Sequence, residues 1–150
     1  MKALMTGAAL ILMMAACATQ PPGATPGTGE GAAAGAPLEG TSWTLVELNG
    51  APVSAGPRTP TLTFGRDDAR AYGTAGCNQF SAGYTRSGSS LRFTAPVSTR
   101  MACVEEGVMR READYLNALQ ATEQYQMSGG TLILSGGGRT LARFLAGSGS

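Results

Sequence analysis

Histidine is absent from this 150-residue chain, and with it go the commonest general base and the commonest metal ligand. Serine-histidine and cysteine-histidine mechanisms are excluded on that ground alone. Lysine is nearly absent too. Lys2 is the single one, so ten arginines face ten acids over the rest of the chain, and the formal net charge is +1. A balance of this kind does not select for nucleic acid or for an anionic surface, and no nucleic-acid partner is expected. Aromatic residues make up only 6% of the chain, with one tryptophan, Trp43. No apolar run is long enough to cross a bilayer as a helix.

What is present begins with a short leader. Lys2 precedes the apolar stretch Ala3 to Met14, a positive segment followed by a hydrophobic one, which reads as a signal peptide. It closes on Met14-Ala15-Ala16-Cys17, which resembles the bacterial lipobox, in which small residues precede a cysteine that is lipidated and becomes the first mature residue. Met14 departs from the leucine usual at its position. The plainer alternative is an ordinary signal peptide cut near Ala16 that leaves Cys17 a free thiol. Several acyl chains, each contributing about 0.8 kcal/mol per buried methylene, would make the anchor effectively permanent. Ala18 follows Cys17 where the retention signal would be aspartate, so the resemblance implies the periplasmic face of the outer membrane, or the outer face of the cytoplasmic membrane in a cell with one membrane.

The expected organisation is a signal peptide over residues 1–16, a lipidated Cys17 with a Gly/Pro/Ala-rich tether to residue 37, a folded domain over 38–146 and a tail over 147–150. Between Ala18 and Pro37 there is no large apolar side chain to offset the entropy of ordering.

Within the domain, period-two alternation predicts strands at Thr41 to Leu48, Thr61 to Phe64, Ala69 to Thr74, Phe80 to Arg86 and Ser90 to Thr94, each bounded by Gly, Pro, Asn or Asp. In the first of these, strict alternation puts Trp43 and Leu45 on one face and Val46 and Leu48 on the other. Residues Ala51 to Pro60 read as loop. From Glu105 to Gln120 the period becomes helical, with Val108, Glu112, Tyr115, Leu116 and Leu119 on one side and Met109 and Ala113 flanking. Glu105 and Glu106 then complement the helix dipole, and Glu106 pairs with Arg110. Glu112, on the apolar side, is either a catalytic acid or a carboxylate that pairs or reaches solvent. Strands return at Tyr125 to Met127, Thr131 to Leu134 and Arg139 to Leu145. Asp67 and Asp68 read as solvated turn residues rather than metal ligands.

Gly76-Cys77-Asn78, Gly83 with Tyr84, Thr99 with Met101-Ala102-Cys103, Glu112 with Tyr115-Leu116, and the final Leu132-Ile133-Leu134 hairpin together resemble the META domain family, whose bacterial members include lipoproteins of the HslJ type. The resemblance implies an α+β fold, mainly antiparallel β, in which short strands form a partial barrel with one packed α-helix. It implies a role in envelope stress tolerance, including heat and drug resistance, and supplies no catalytic, cofactor-binding or metal-binding residue. Cys77, Asn78, Gly83, Tyr84 and Cys103 transfer only as a structural motif.

In an exported chain whose Cys17 is lipidated, Cys77 and Cys103 are the two remaining thiols, and a disulfide is the simplest use of both. It would close a loop of about 25 residues, to which the chain-entropy model assigns roughly 3.5 kcal/mol. The alternatives are a nucleophilic Cys77 assisted by Asn78, which lacks a base, and a zinc site, which lacks ligands. The functional readings are a lipid-anchored, non-catalytic binding module with an unknown envelope protein or ligand, a carrier of a small apolar ligand, and a thiol-dependent enzyme using Cys77. No cofactor is implied.

Overall fold

A computed structural model describes residues 35–147 of the chain. The signal peptide, Cys17 and the tether as far as residue 34 lie outside the described residues, as do the last three residues of the tail. The elements in order are β1 (Ser42–Leu48), β2 (Ala51–Pro52), β3 (Thr61–Phe64), β4 (Arg70–Thr74), β5 (Gln79–Ser87), β6 (Ser90–Phe93), β7 (Val97–Ser98), α1 (Val108–Gln120), β8 (Gln124–Ser128), β9 (Thr131–Gly136) and β10 (Arg139–Ala146).

Alternating burial along β3, β6 and β9 puts Leu62, Phe64, Leu91, Phe93, Leu132 and Leu134 inside. The strands follow one another around a ring, β1, β3, β4, β5, β6, β8, β9, β10, and every pairing in it is antiparallel. The ring closes because β10 pairs with β1 from Trp43↔Ala146 to Leu48↔Ala142. The barrel is therefore complete, and the expected partial barrel is corrected. First and last strands meet across the length of the domain, a contact that no local pattern announces and that removes two free edges. The thinnest seam is β6 to β8, where Ser90↔Gln124 is the one ladder pair, flanked by Leu91 N donating to Glu123 O at 3.0 Å and Tyr125 N donating to Ser89 O at 2.9 Å.

Strict alternation fails in β1. The register shifts between Leu45 and Glu47, so Val46 is the extra residue of a bulge. The bulge returns Leu48 to the same buried side as Trp43 and Leu45, instead of the opposite face. Asn49 and Gly50 both take positive φ in the following turn, which brings Ala51 and Pro52 back against β1 as a short strand where a loop was expected. Trp43 is fully buried and donates its Nε1–H to Leu38 O at 3.0 Å, pinning the entry segment over the core.

The helix begins three residues later than its periodicity suggests. Gly107 takes φ 76° immediately before Val108, and no side chain caps the helix. Glu105 and Glu106 consequently lie outside it, and Glu105 pairs with Arg58 at 3.2 Å. The ion pair expected between Glu106 and Arg110 is not among those formed by the described residues. The buried face carries Val108, Glu112, Tyr115, Ala118 and Leu119, with Leu116 partly buried and Met109 exposed.

The helix touches β1 and β10 on one side of the ring and β6 on the opposite side. A helix on the outer wall would reach only neighbouring strands, so α1 crosses one mouth of the barrel. Tyr115 descends from it into the core, edge-on to Phe80 and Phe144, and donates its hydroxyl to Thr61 O at 3.0 Å. Gly136 makes this closure possible at the far end of the helix: a Cβ there would collide with the carbonyl oxygen of Ala121.

Candidate functional site

The turn between β4 and β5 lies beneath the first turns of α1. Gly76 takes φ 122° there, a backbone conformation that side chains rarely adopt, and its N–H donates to Thr74 Oγ1 at 3.1 Å. Cys77 and Asn78 follow, both buried. Cys77 is joined by a disulfide to Cys103, with 5.9 Å between the Cα atoms and a sequence separation of 26. Cys103 belongs to the segment 99–107, a strap that runs from β7 to the helix.

Asn78 connects three parts of the molecule. Its Oδ1 accepts from Thr99 Oγ1 at 2.8 Å and from Met101 N at 2.7 Å. Its Nδ2 donates to Met101 O at 3.1 Å and to Glu112 Oε1 at 2.7 Å. Every donor and acceptor of the amide is thus used, which is what makes burying it tolerable. The strap is held twice over, once by sulfur and once by this side chain.

Glu112 is buried and its carboxylate faces the turn. Oε2 accepts from Cys77 N at 3.1 Å and from Asn78 N at 2.7 Å, while Oε1 accepts from the Asn78 amide. The carboxylate therefore neither pairs with a cation nor reaches solvent; charge-assisted bonds to two backbone N–H groups and one amide hold it. Sequence reasoning marked Glu112 for its place on the apolar face. Its partners became visible only once the fold brought a turn 35 residues away beneath it.

Gly83 and Tyr84 are not part of this node. They sit further along β5, opposite Arg70 and Phe93. Gly83 N donates to Thr94 Oγ1 at 2.9 Å, and the Tyr84 ring packs edge-on against Phe64 at 5.1 Å. Burial, followed by the nearby charge of Glu39, raises the Tyr84 hydroxyl above the usual tyrosine range. Burial alone pushes Tyr115 well above it.

With the sulfurs joined, neither cysteine carries a thiolate, and the amide and carboxylate beside them are already committed. The node can hold a turn, a strap and a helix together. The barrel interior is filled by Trp43, Leu62, Phe64, Leu91 and Phe93, all in one core cluster, so the space a small apolar ligand would need there is occupied by side chains. A depression of about 320 Å³ lies outside, between the β1–β2 corner and the start of α1.

These features define a class: a closed eight-stranded antiparallel barrel, crossed at one mouth by a helix that a buried carboxylate ties to a disulfide-linked turn. The META domain family model matches residues 36–148, two residues beyond the expected boundary at each end, and the chain belongs to the META domain family. Among solved structures it is similar to an NMR structure of a protein from Burkholderia xenovorans, at 27% identity and a TM-score of 0.60 over 74% of this chain and 84% of that one. A second NMR structure is similar at 25% identity and a TM-score of 0.58, over 72% of this chain and 91% of the other. No curated protein matches the chain.

Proposed function

We propose that this chain is a lipid-anchored, non-catalytic interaction module of the bacterial cell envelope that supports tolerance of heat or drug stress. The observation that carries this reading is the use made of the family's signature residues. Cys77, Asn78 and Cys103 are the chemistry-bearing members of the motif, and they are spent on fixing a turn, a strap and a helix. What remains for function is the surface of a stable barrel. The leader ending in Ala15-Ala16-Cys17 and the Gly/Pro-rich residues after it support an anchor and a spacer.

The anchor is tested by expressing the full chain with radiolabelled palmitate and fractionating the envelope. Label should appear on the wild type in the outer membrane and vanish in Cys17→Ala, whose product is released from the membrane. Deletion of the gene should sensitise cells to heat or to drugs, and complementation should require Cys17. A fully active Cys17→Ala variant would overturn the anchored reading. An activity lost on reduction-independent alkylation of Cys77 would overturn the non-catalytic one.

A further inference from the structure

The depression beside the start of α1 is built from two unlike walls. One is apolar, with Leu48 from the end of β1, Ala51 and Pro52 from β2, and Val53 just after it. The other is cationic: Arg110 and Arg111 stand in the first turn of α1 and line the same space.

That placement is electrostatically unfavourable as it stands. The first turn of a helix is the positive end of its dipole, where acids stabilise and bases do the opposite. Here the first turn holds no acid, and no side chain caps it. Neither arginine has a carboxylate within ion-pair distance among the described residues. Arg111 has one hydrogen bond, from Nη2 to Arg58 O at 3.1 Å, and its Nε is buried without a partner. That nitrogen is closed off from solvent, so what the depression offers an anion is the charge of the two guanidinium groups and of the helix end. An anion in the depression would serve both arginines and the helix end.

The remaining lining residues narrow the choice. Asp114 and Asn49 also face the space. Asp114 opposes a doubly charged ligand, and it supplies an acceptor for an N–H group. A single carboxylate, an adjoining small apolar group and a nearby N–H donor are the features of the last residue of a polypeptide. The volume, about 320 Å³, is at the small end of ligand sites and suits a short terminal segment. We propose that this depression captures the free C-terminal carboxylate of a partner polypeptide that ends in a small apolar residue, a recognised mode of peptide recognition. The inference rests on the interaction-module reading and names the partner's chemistry.

The test uses the mature full-length lipoprotein in detergent and a fluorescent hexapeptide, Gly-Ser-Gly-Ser-Ala-Val, as the free acid and as the C-terminal amide. The free acid should bind saturably and the amide at least about tenfold more weakly, since losing a charge-assisted contact of about 1.4 kcal/mol changes affinity tenfold. Arg110→Gln should weaken the free acid by a similar factor with an unchanged melting temperature, because Arg110 is exposed. That variant decides the matter even where Arg111→Met fails to fold. No binding of the free acid, equal binding of acid and amide, or full affinity in Arg110→Gln overturns the proposal. So does binding of octanoate with no binding of the peptide. An envelope pull-down separates the two readings. Partners recovered equally by wild type and Arg110→Gln would sink the pocket but leave the interaction module standing, whereas no partner for the wild type would sink the module itself.

Discussion

At the scale of single residues, the contact between Asn78 and Glu112 carries the most consequence for so few atoms. Asn78 Nδ2 and Glu112 Oε1 are 2.7 Å apart, and the amide is the donor. Asn78→Asp keeps the shape but turns the donor into an acceptor, placing a second carboxylate against the first. The expected cost is about 3–5 kcal/mol, the range for an uncompensated buried charge. Glu112→Gln in the same chain reverses the polarity of the bond, so the double variant should be more stable than the sum of the two single losses. Urea midpoints of the four proteins form the cycle; strict additivity would mean the pair is not coupled. Tyr115 offers a second test with a definite sign. Its hydroxyl is raised well above 10.0 by burial, so the unfolded chain gives up this proton first as pH rises. The stability tied to its protonated form is fully present below about pH 10 and is lost as pH climbs toward the folded value. Tyr115→Phe should lose about 1 kcal/mol at pH 7 with the bond to Thr61 O, and should show a shallower alkaline decline than the wild type. Parallel declines in the two proteins would exclude Tyr115 as the group responsible.

At the scale of elements, what could be read in advance was whatever depends on neighbours in sequence. The alternation in Thr61 to Phe64 and Ser90 to Phe93 was legible because each residue's face is set by its parity. The spacing of Val108, Tyr115 and Leu119 was legible because they share one side of a helix. Beside the short strands β2 and β7, two features escaped this logic. Val46 breaks parity by bulging, and only pairing with β10, nearly a hundred residues away, reveals that Leu48 must turn inward. The start of α1 escaped because Gly107, between Glu106 and a good apolar period, takes a left-handed conformation that no neighbour demands. The node was half legible for a similar reason: its cysteines and Asn78 stood out by type, but Glu112 is an ordinary helix residue until the turn is beneath it. The joint between α1 and the barrel also yields an expected outcome. Gly136 admits no Cβ without displacing the backbone of Ala121, so Gly136→Ala should cost about 1–3 kcal/mol, the usual range for overpacking. Hydrogen exchange should report the loss at the end of α1 and in β9. A neutral result would mean that the helix end shifts freely, contrary to a helix that closes the barrel's mouth.

At the scale of the molecule, the barrel owes its closure to β1 and β10, and its mouth to a helix held at one end by the disulfide-linked turn. The disulfide and Asn78 tie the same strap, so the two contributions can be separated by removing sulfur alone. Cross-linking residues 26 apart is worth roughly 3.5 kcal/mol in the chain-entropy model. For a domain of this size that corresponds to a fall in melting temperature on the order of 10 °C. Reductant, or the double variant Cys77→Ala with Cys103→Ala, should produce that fall while leaving the β-sheet circular dichroism at 25 °C intact, because Asn78 still fastens Thr99 and Met101 to the turn. The companion measurement is a thiol count by alkylation and intact mass on residues 18–150 exported to the periplasm of an expression host. Two sulfurs that react only after reduction fit a staple whose purpose is to keep the helix seated over the barrel. Rapid alkylation of Cys77 in the native, unreduced protein would mean that the bond does not form where the protein works, and a buried thiol beside Glu112 would then have to be explained by chemistry of its own.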